Sequence, residues 1–220
     1  MSGITVDTAP TGETLTESEI RNYLRVDDSG ELATLQLLRV AARKFFESYT
    51  GRSVLTQTLT LSIDDVNGDG YAIREGFYER PDINFHKNYI VLPSSPVQSV
   101  THIKTYDDDD VATTMAASKY YLDRVRDPAR VILRTGETWP TSLRVANAIE
   151  IKYVAGYGSA AAVPQDLKVG MLMHIAYMYD QRGDMKNYQE TINLPPMVRQ
   201  LYQPFKVLDG MGGSKFSAIG

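Results

Sequence analysis

The spacing richest in possible chemistry lies at Asp65-Val66-Asn67-Gly68-Asp69-Gly70. Oxygen ligands at the first, third and fifth positions, with glycine at the sixth, match the opening half of an EF-hand calcium loop. Such a loop needs a bidentate glutamate at its twelfth position, where Gly76 stands with Glu75 one place early. The residues before it alternate like a strand, whereas an EF-hand loop follows a helix. An Asx/Gly turn is the better reading. The run Asp107–Asp110 would attract a cation, but adjacent acids in a predicted hairpin turn read first as a solvated tip. His86, His102 and His174 are far apart, and none is followed by a second metal ligand two to four places on. His174, on an apolar helix, reads as a core or interface histidine.

Nucleophilic and phosphate chemistry fare no better. No G-x-S-x-G elbow supports a Ser/His/Asp triad. Gly156-Tyr157-Gly158 lies between a strand and a helix, where a phosphate loop would sit, but it lacks G-x-G-x-x-G and a following Lys-Ser/Thr. Its glycines read as a turn out of the strand. Arg124, Arg126, Arg130 and Arg134 are interleaved with Asp123 and Asp127, a paired surface more than a basic patch. The residues therefore predict no catalytic group, no cofactor and no metal.

Several elements must position these groups. Thr16 and Glu19 have capping-box spacing and open a helix through Ile20, Tyr23 and Leu24. Asp28 and Glu31 repeat that spacing before a longer helix, whose apolar stripe runs Leu32, Leu35, Leu38, Ala42, Phe45, Phe46 and Tyr49 and stops at Gly51. Arg39, Arg43 and Lys44 lie off the stripe and are expected to be solvated. From Val54 to Ile63 the period changes to two, the mark of a half-buried strand. Asp64–Asn88 is a long polar excursion carrying scattered aromatic residues. Further strands are expected at Tyr89–Leu92, Val97–Tyr106, Tyr120–Asp123, Arg130–Leu133 and Ala148–Val154. Helices, then strands, then helices, without βαβ alternation, predict an α+β fold. The expected layout is a flexible arm at 1–14, a domain at 15–205 and a tail at 206–220. Within the domain a helical body (15–51 and 164–202) is interrupted by an antiparallel β insertion (54–155).

The stretch from Pro164 to Arg182 organises the whole. Pro164 and Asp166 suit a helix start, while Arg182 and Gly183 suit an end. Apolar groups cover nearly its full circumference, so it must be covered on more than one side. Part of that surface, carried by Met171, His174, Met178 and Tyr179, is expected to face another subunit.

The 220 residues are 43% hydrophobic and 23% charged, ordinary for a globular protein. The absence of cysteine removes disulfides and thiolate chemistry. The N-terminus lacks a signal-peptide pattern, and no segment reads as a membrane span. A net charge of −4 without any Lys/Arg block disfavours a tight grip on nucleic-acid phosphates.

Taken together, several stretches resemble the head–tail connector proteins of tailed bacteriophages, also called adaptor or head-completion proteins. They are Leu15–Asp28, Tyr49-Thr50-Gly51-Arg52, Leu92-Pro93 with Pro96–Val100, Trp139-Pro140, Ile151–Gly158 and Val163-Pro164, in that order. The resemblance spans roughly residues 15–205 and departs in the lengths of Asp64–Asn88 and Asp107–Ser118. It implies a non-enzymatic virion subunit at the head–tail interface, assembled in the host cytoplasm as a ring, commonly of twelve copies. The ring would sit below the portal protein, extend the DNA channel and meet a stopper or tail terminator on its tail side. Genomic DNA would pass through without specific binding, and no membrane would be involved. The resemblance also implies a portal-binding tail, with Leu208, Met211, Phe216 and Ile219 as its anchors. The alternatives are a later neck or tail-terminator protein, or a small binding or hydrolytic enzyme with its pocket in the β insertion.

Overall fold

A computed structural model describes residues 2–64, 85–86, 88–182 and 194–207 as a mixed α+β chain. It divides into two compact units, one built on Thr58–Val154 with the N-terminal strand, the other on Ala9–Gln57 and Ala155–Lys206.

The β unit holds two sheets. The first is ordered β1 (Ser2–Thr8), β2 (Gln57–Ile63), β9 (Ile149–Ala155), β5 (Val97–Tyr106), β6 (Ala112–Thr114). The second is ordered β3 (Phe85–His86), β4 (Tyr89–Val91), β8 (Arg130–Leu133), β7 (Tyr120–Asp123). Alternation explains the strands. In β2 Leu59, Leu61 and Ile63 are buried, while Thr58, Thr60 and Ser62 between them are half-exposed. In β9 Ile149, Ile151 and Tyr153 are likewise buried, and the Tyr153 hydroxyl donates to the Pro93 carbonyl at 3.1 Å. Burial pushes the Tyr153 hydroxyl pKa up.

Residues 1–14, expected to be a flexible arm, instead open with β1. Ile4 and Val6 stand opposite Leu61 and Leu59, and the Asp7 carboxylate accepts from Thr60 Oγ1 at 2.7 Å. Asp7 also pairs with Lys152 at 2.9 Å. A strand this polar is defined by its neighbour's backbone more than by its own pattern.

The second unit is helical. In α1 (Glu17–Leu24) the Thr16 N–H donates to Glu19 at 2.6 Å and the Glu19 N–H donates to Thr16 Oγ1 at 3.2 Å. This is the reciprocal cap its spacing predicts. Asp28 caps a 3-10 turn, accepting from the Gly30 N–H at 2.8 Å, so α2 (Leu32–Thr50) begins just after Glu31. Glu31 pairs instead with Arg182. Gly51 closes α2 in the left-handed region, φ 71°. Then follow α3 (Gln165–Asp180) and α4 (Pro196–Tyr202). Leu35, Ala42 and Phe46 of α2, Leu167, Met171 and Ile175 of α3, and Val198 and Tyr202 of α4 form one buried core. Val54 and Leu55, expected within the strand, belong to that core, and β2 starts later at Gln57.

Candidate functional site

The expected interface centres on α3, whose local chemistry starts at Pro164. This proline takes the N-cap position, and the Leu167 N–H donates to the Asp166 carboxylate at 3.0 Å. The helix ends at Asp180, so Arg182 lies just beyond it, its guanidinium 3.8 Å from the centre of the Tyr179 ring. Gly170 gives room to α4: a Cβ there would stand 2.8 Å from Cε1 of Tyr202. Of the four residues expected to face another subunit, Met171 and His174 are buried inside their own unit. The reason is that α1, α2 and α4 all pack on α3, covering much of the surface that looked surplus. Only Met178 and Tyr179 stay half-exposed.

His174 sits in an aromatic cage. The Phe45 ring meets it edge-on with centroids 4.9 Å apart, and the Tyr202 hydroxyl is 3.5 Å from Nδ1. Loss of water pushes its pKa down to about 4, against an ordinary 6.5. Above pH 6.5 the imidazole is neutral in both folded and unfolded chains. Between 6.5 and about 4 only the unfolded chain takes up the proton, so stability present above 6.5 is lost as pH falls through that window. At about 1.4 kcal/mol per unit, the loss approaches roughly 3 kcal/mol. Urea unfolding at pH 7, 5.5 and 4 should show this loss in the native chain and a much flatter profile in His174→Leu. Parallel profiles would remove His174 as the cause.

A second cluster holds the start of the helical unit to α2. Arg43 is 7% exposed, so the expectation of a solvated residue is wrong for it. Its Nε and Nη2 donate to the two carboxylate oxygens of Glu13 at 2.8 and 3.0 Å. Nη1 donates to Glu47 at 3.1 Å, and the other Glu47 oxygen accepts from the Val54 N–H at 3.0 Å. Two carboxylates compensate one buried guanidinium. Donating to the Glu13 carboxylate raises the Arg43 pKa, and burial raises that of Glu47. The i,i+4 spacing of Arg43 and Glu47 is a sequence signal for half of this cluster; Glu13, thirty residues away, gives none.

The β unit carries a polar sheet face. Glu150 on β9 shares a hydrogen bond with His102 Nε2 at 2.9 Å and accepts one from the Tyr106 hydroxyl at 2.9 Å, both on β5. Lys104 stands 3.8 Å away. The contact with His102 is the main reason the Glu150 pKa is held below its ordinary value. Sequence spacing misses this group because its partners meet across strands. With a half-exposed surface and balanced charge, it ties strands together.

The remaining candidates resolve as structure. Asp107 closes its turn, accepting from the N–H of Asp109 at 3.1 Å and of Val111 at 2.8 Å. Arg130 pairs with Asp123 at 2.9 Å directly across the β7–β8 ladder. Gly156 and Gly158 both adopt positive φ and cradle residues 54–56, not a phosphate. Asp65–Gly70 and the tail anchors Leu208, Met211, Phe216 and Ile219 lie outside the described residues. Among the described residues no group of His, Asp or Glu could hold a metal ion, and no helix is long and apolar enough to cross a membrane. A surface depression of about 610 Å³ is lined by five consecutive residues, Tyr121–Val125, and gathers no convergent set of groups.

No protein-family model matches the chain, and no curated protein matches it. Solved structures do. A chain in the neck of an empty gene transfer agent particle, computed with C6 symmetry, aligns with a TM-score of 0.73 at 23% identity, over 96% of this chain and 98% of that one. A chain in the virion of a native gene transfer agent particle aligns at 0.72 with the same identity and coverage. One in the neck of a native particle, computed with C12 symmetry, aligns at 0.68, again at 23% identity and the same coverage. At this identity the likeness establishes a shared fold.

Proposed function

We propose that this chain is a structural subunit of the neck of a tailed phage or phage-like particle, without enzymatic activity. One observation carries the reading: its fold coincides over almost the whole length, in both directions, with chains of particle necks. Among the described residues, the candidate groups Asp107, Arg130, Gly156 and Gly158 are spent on turns and pairs, which agrees with this reading. More finely, the subunit is a connector that assembles as a ring of twelve below a portal protein, extending the DNA channel towards a stopper or tail terminator. Its net charge of −4 suits a wall along which phosphates slide.

In this reading the tail at 206–220 carries the portal-binding segment, anchored by Leu208, Met211, Phe216 and Ile219. Truncation belongs after Val207, because Phe205 meets Phe46 edge-on with ring centroids 6.0 Å apart and its carbonyl accepts a hydrogen bond from Arg52. The shortened chain should keep its melting temperature while losing at least tenfold in affinity for portal rings, measured by co-sedimentation or surface-bound titration. Undiminished portal binding would overturn the tail assignment. A native chain that stays monomeric by light scattering and negative stain, with and without portal, would overturn the ring.

A further inference from the structure

The five-stranded sheet ends in two open edges of unlike kind, β1 on one side and β6 on the other. Among the described residues each is paired on a single side, so its outer row of backbone N–H and C=O groups could continue the ladder. Natural edges are commonly guarded by lysine, proline or an inward charge. Neither Ser2–Thr8 nor Ala112–Thr114 contains a lysine, arginine or proline. The single charge, Asp7, is already held by Lys152 and Thr60.

The side chains at these edges point the same way. Ile4 and Val6 stand opposite Leu61 and Leu59, so they share the sheet's apolar face, yet they are 47% and 56% exposed. That face runs past its cover at the β1 edge. At the other edge Thr113 stands opposite Thr105, which is buried on the same apolar face, and Val111, just before β6, is 56% exposed. Joining the β1 edge of one copy to the β6 edge of the next would set Ile4 and Val6 beside Thr113 and Val111 on one continuous face.

We propose that β1 of one subunit pairs with β6 of a second copy of this chain, extending the sheet from subunit to subunit. The inference rests on the ring reading above and gives it a contact: a closed ring needs two different complementary surfaces per subunit. The two edges are different and free of lysine, arginine and proline, although β6 is short and β1 shifts register between Val6 and Thr8. A ladder limited by the three residues of β6 is short, so it sets register within a wider contact and does not carry the assembly alone.

The chain's lack of cysteine makes the test direct. Val6→Cys and Thr113→Cys are made singly and together in the full-length chain. Assembled rings are isolated by size, treated with a copper-phenanthroline oxidant, and resolved under denaturing, non-reducing conditions. Both residues are exposed, and unchanged melting curves confirm folding. The double variant should give a ladder of covalent oligomers, and each single variant only monomer. Protection of the amides of residues 3–7 and 112–114 from hydrogen exchange should rise on assembly. Rings that form without a ladder and without added protection overturn this contact while leaving the ring intact. Dimers from Val6→Cys alone would mean that two β1 edges meet, which also overturns it. Failure of the native chain to assemble, with or without portal, overturns the ring and this contact with it.

Discussion

Gly156→Ala is expected to destabilise the helical unit by roughly 4 kcal/mol or more, the sum of a strained backbone and a displaced neighbour. Gly156 has φ +120°, a region that side chains with a Cβ rarely enter. A Cβ built there would lie 2.2 Å from the carbonyl oxygen of Leu55 and 2.4 Å from its carbon. Both are backbone atoms, so no side-chain rotation relieves the contact. The two segments are held together by hydrogen bonds on either side, from the Tyr157 N–H to the Val54 carbonyl at 3.0 Å and from the Thr56 N–H to the Gly158 carbonyl at 3.1 Å. Separating them would break those bonds and unseat Val54 and Leu55 from the core. For a chain of this size the midpoint should fall by about 10 °C or more. Gly158→Ala is the control, because Gly158 has nearly the same φ, +119°, but its Cβ would meet only the Ala162 methyl at an ordinary 3.5 Å. It should lose about 1–2 kcal/mol from backbone strain alone. Equal losses in the two variants would show that the close approach to Leu55 does not matter.

The contrast between these glycines shows where sequence reading runs out. Gly156-Tyr157-Gly158 announces a turn, but not that one glycine presses on a backbone carbonyl while the other meets only a methyl group at an ordinary distance. The same limit recurs along the chain. The cap of α1, the stripe of α2 ending at Gly51, and the alternation of β5, β7, β8 and β9 are local patterns, and each element lies where its pattern places it, within a residue or so. In β1 only the short run Ile4-Thr5-Val6 alternates, too little to announce a strand, and its partner β2 lies some fifty residues on. The circumferential apolarity of α3 reads equally well as cover from within or from a neighbour, and only the packing of α1, α2 and α4 assigns Met171 and His174 to the interior. His102 and Glu150, 48 residues apart, meet through strand order, which composition and period do not encode. The α+β class follows from element order and is what the structure has. The sites depend on which strands and helices become neighbours.

Arg43→Met is expected to cost about 3–5 kcal/mol at pH 7, the usual result of removing one partner from a buried ionic group. Methionine nearly matches the aliphatic stem, so most of the loss comes from leaving the carboxylates of Glu13 and Glu47 without their cation. Burial already holds the Glu47 pKa above its ordinary 4.5 in the intact protein, and loss of the guanidinium raises it further. A carboxyl whose folded pKa exceeds its unfolded one is at no disadvantage below the unfolded value, and it penalises folding as pH rises through the folded value. The gap between variant and native chain should therefore be widest at pH 7 and narrow steadily towards pH 5, as measured by urea unfolding at both. Comparing the two chains at each pH cancels the acid-side loss from His174, which they share. Arg43→Met combined with Glu47→Gln should recover part of the loss, because an amide still accepts from the Val54 N–H and brings no charge. If the gap were the same at both pH values and the second substitution recovered nothing, the role of Arg43 would be packing alone.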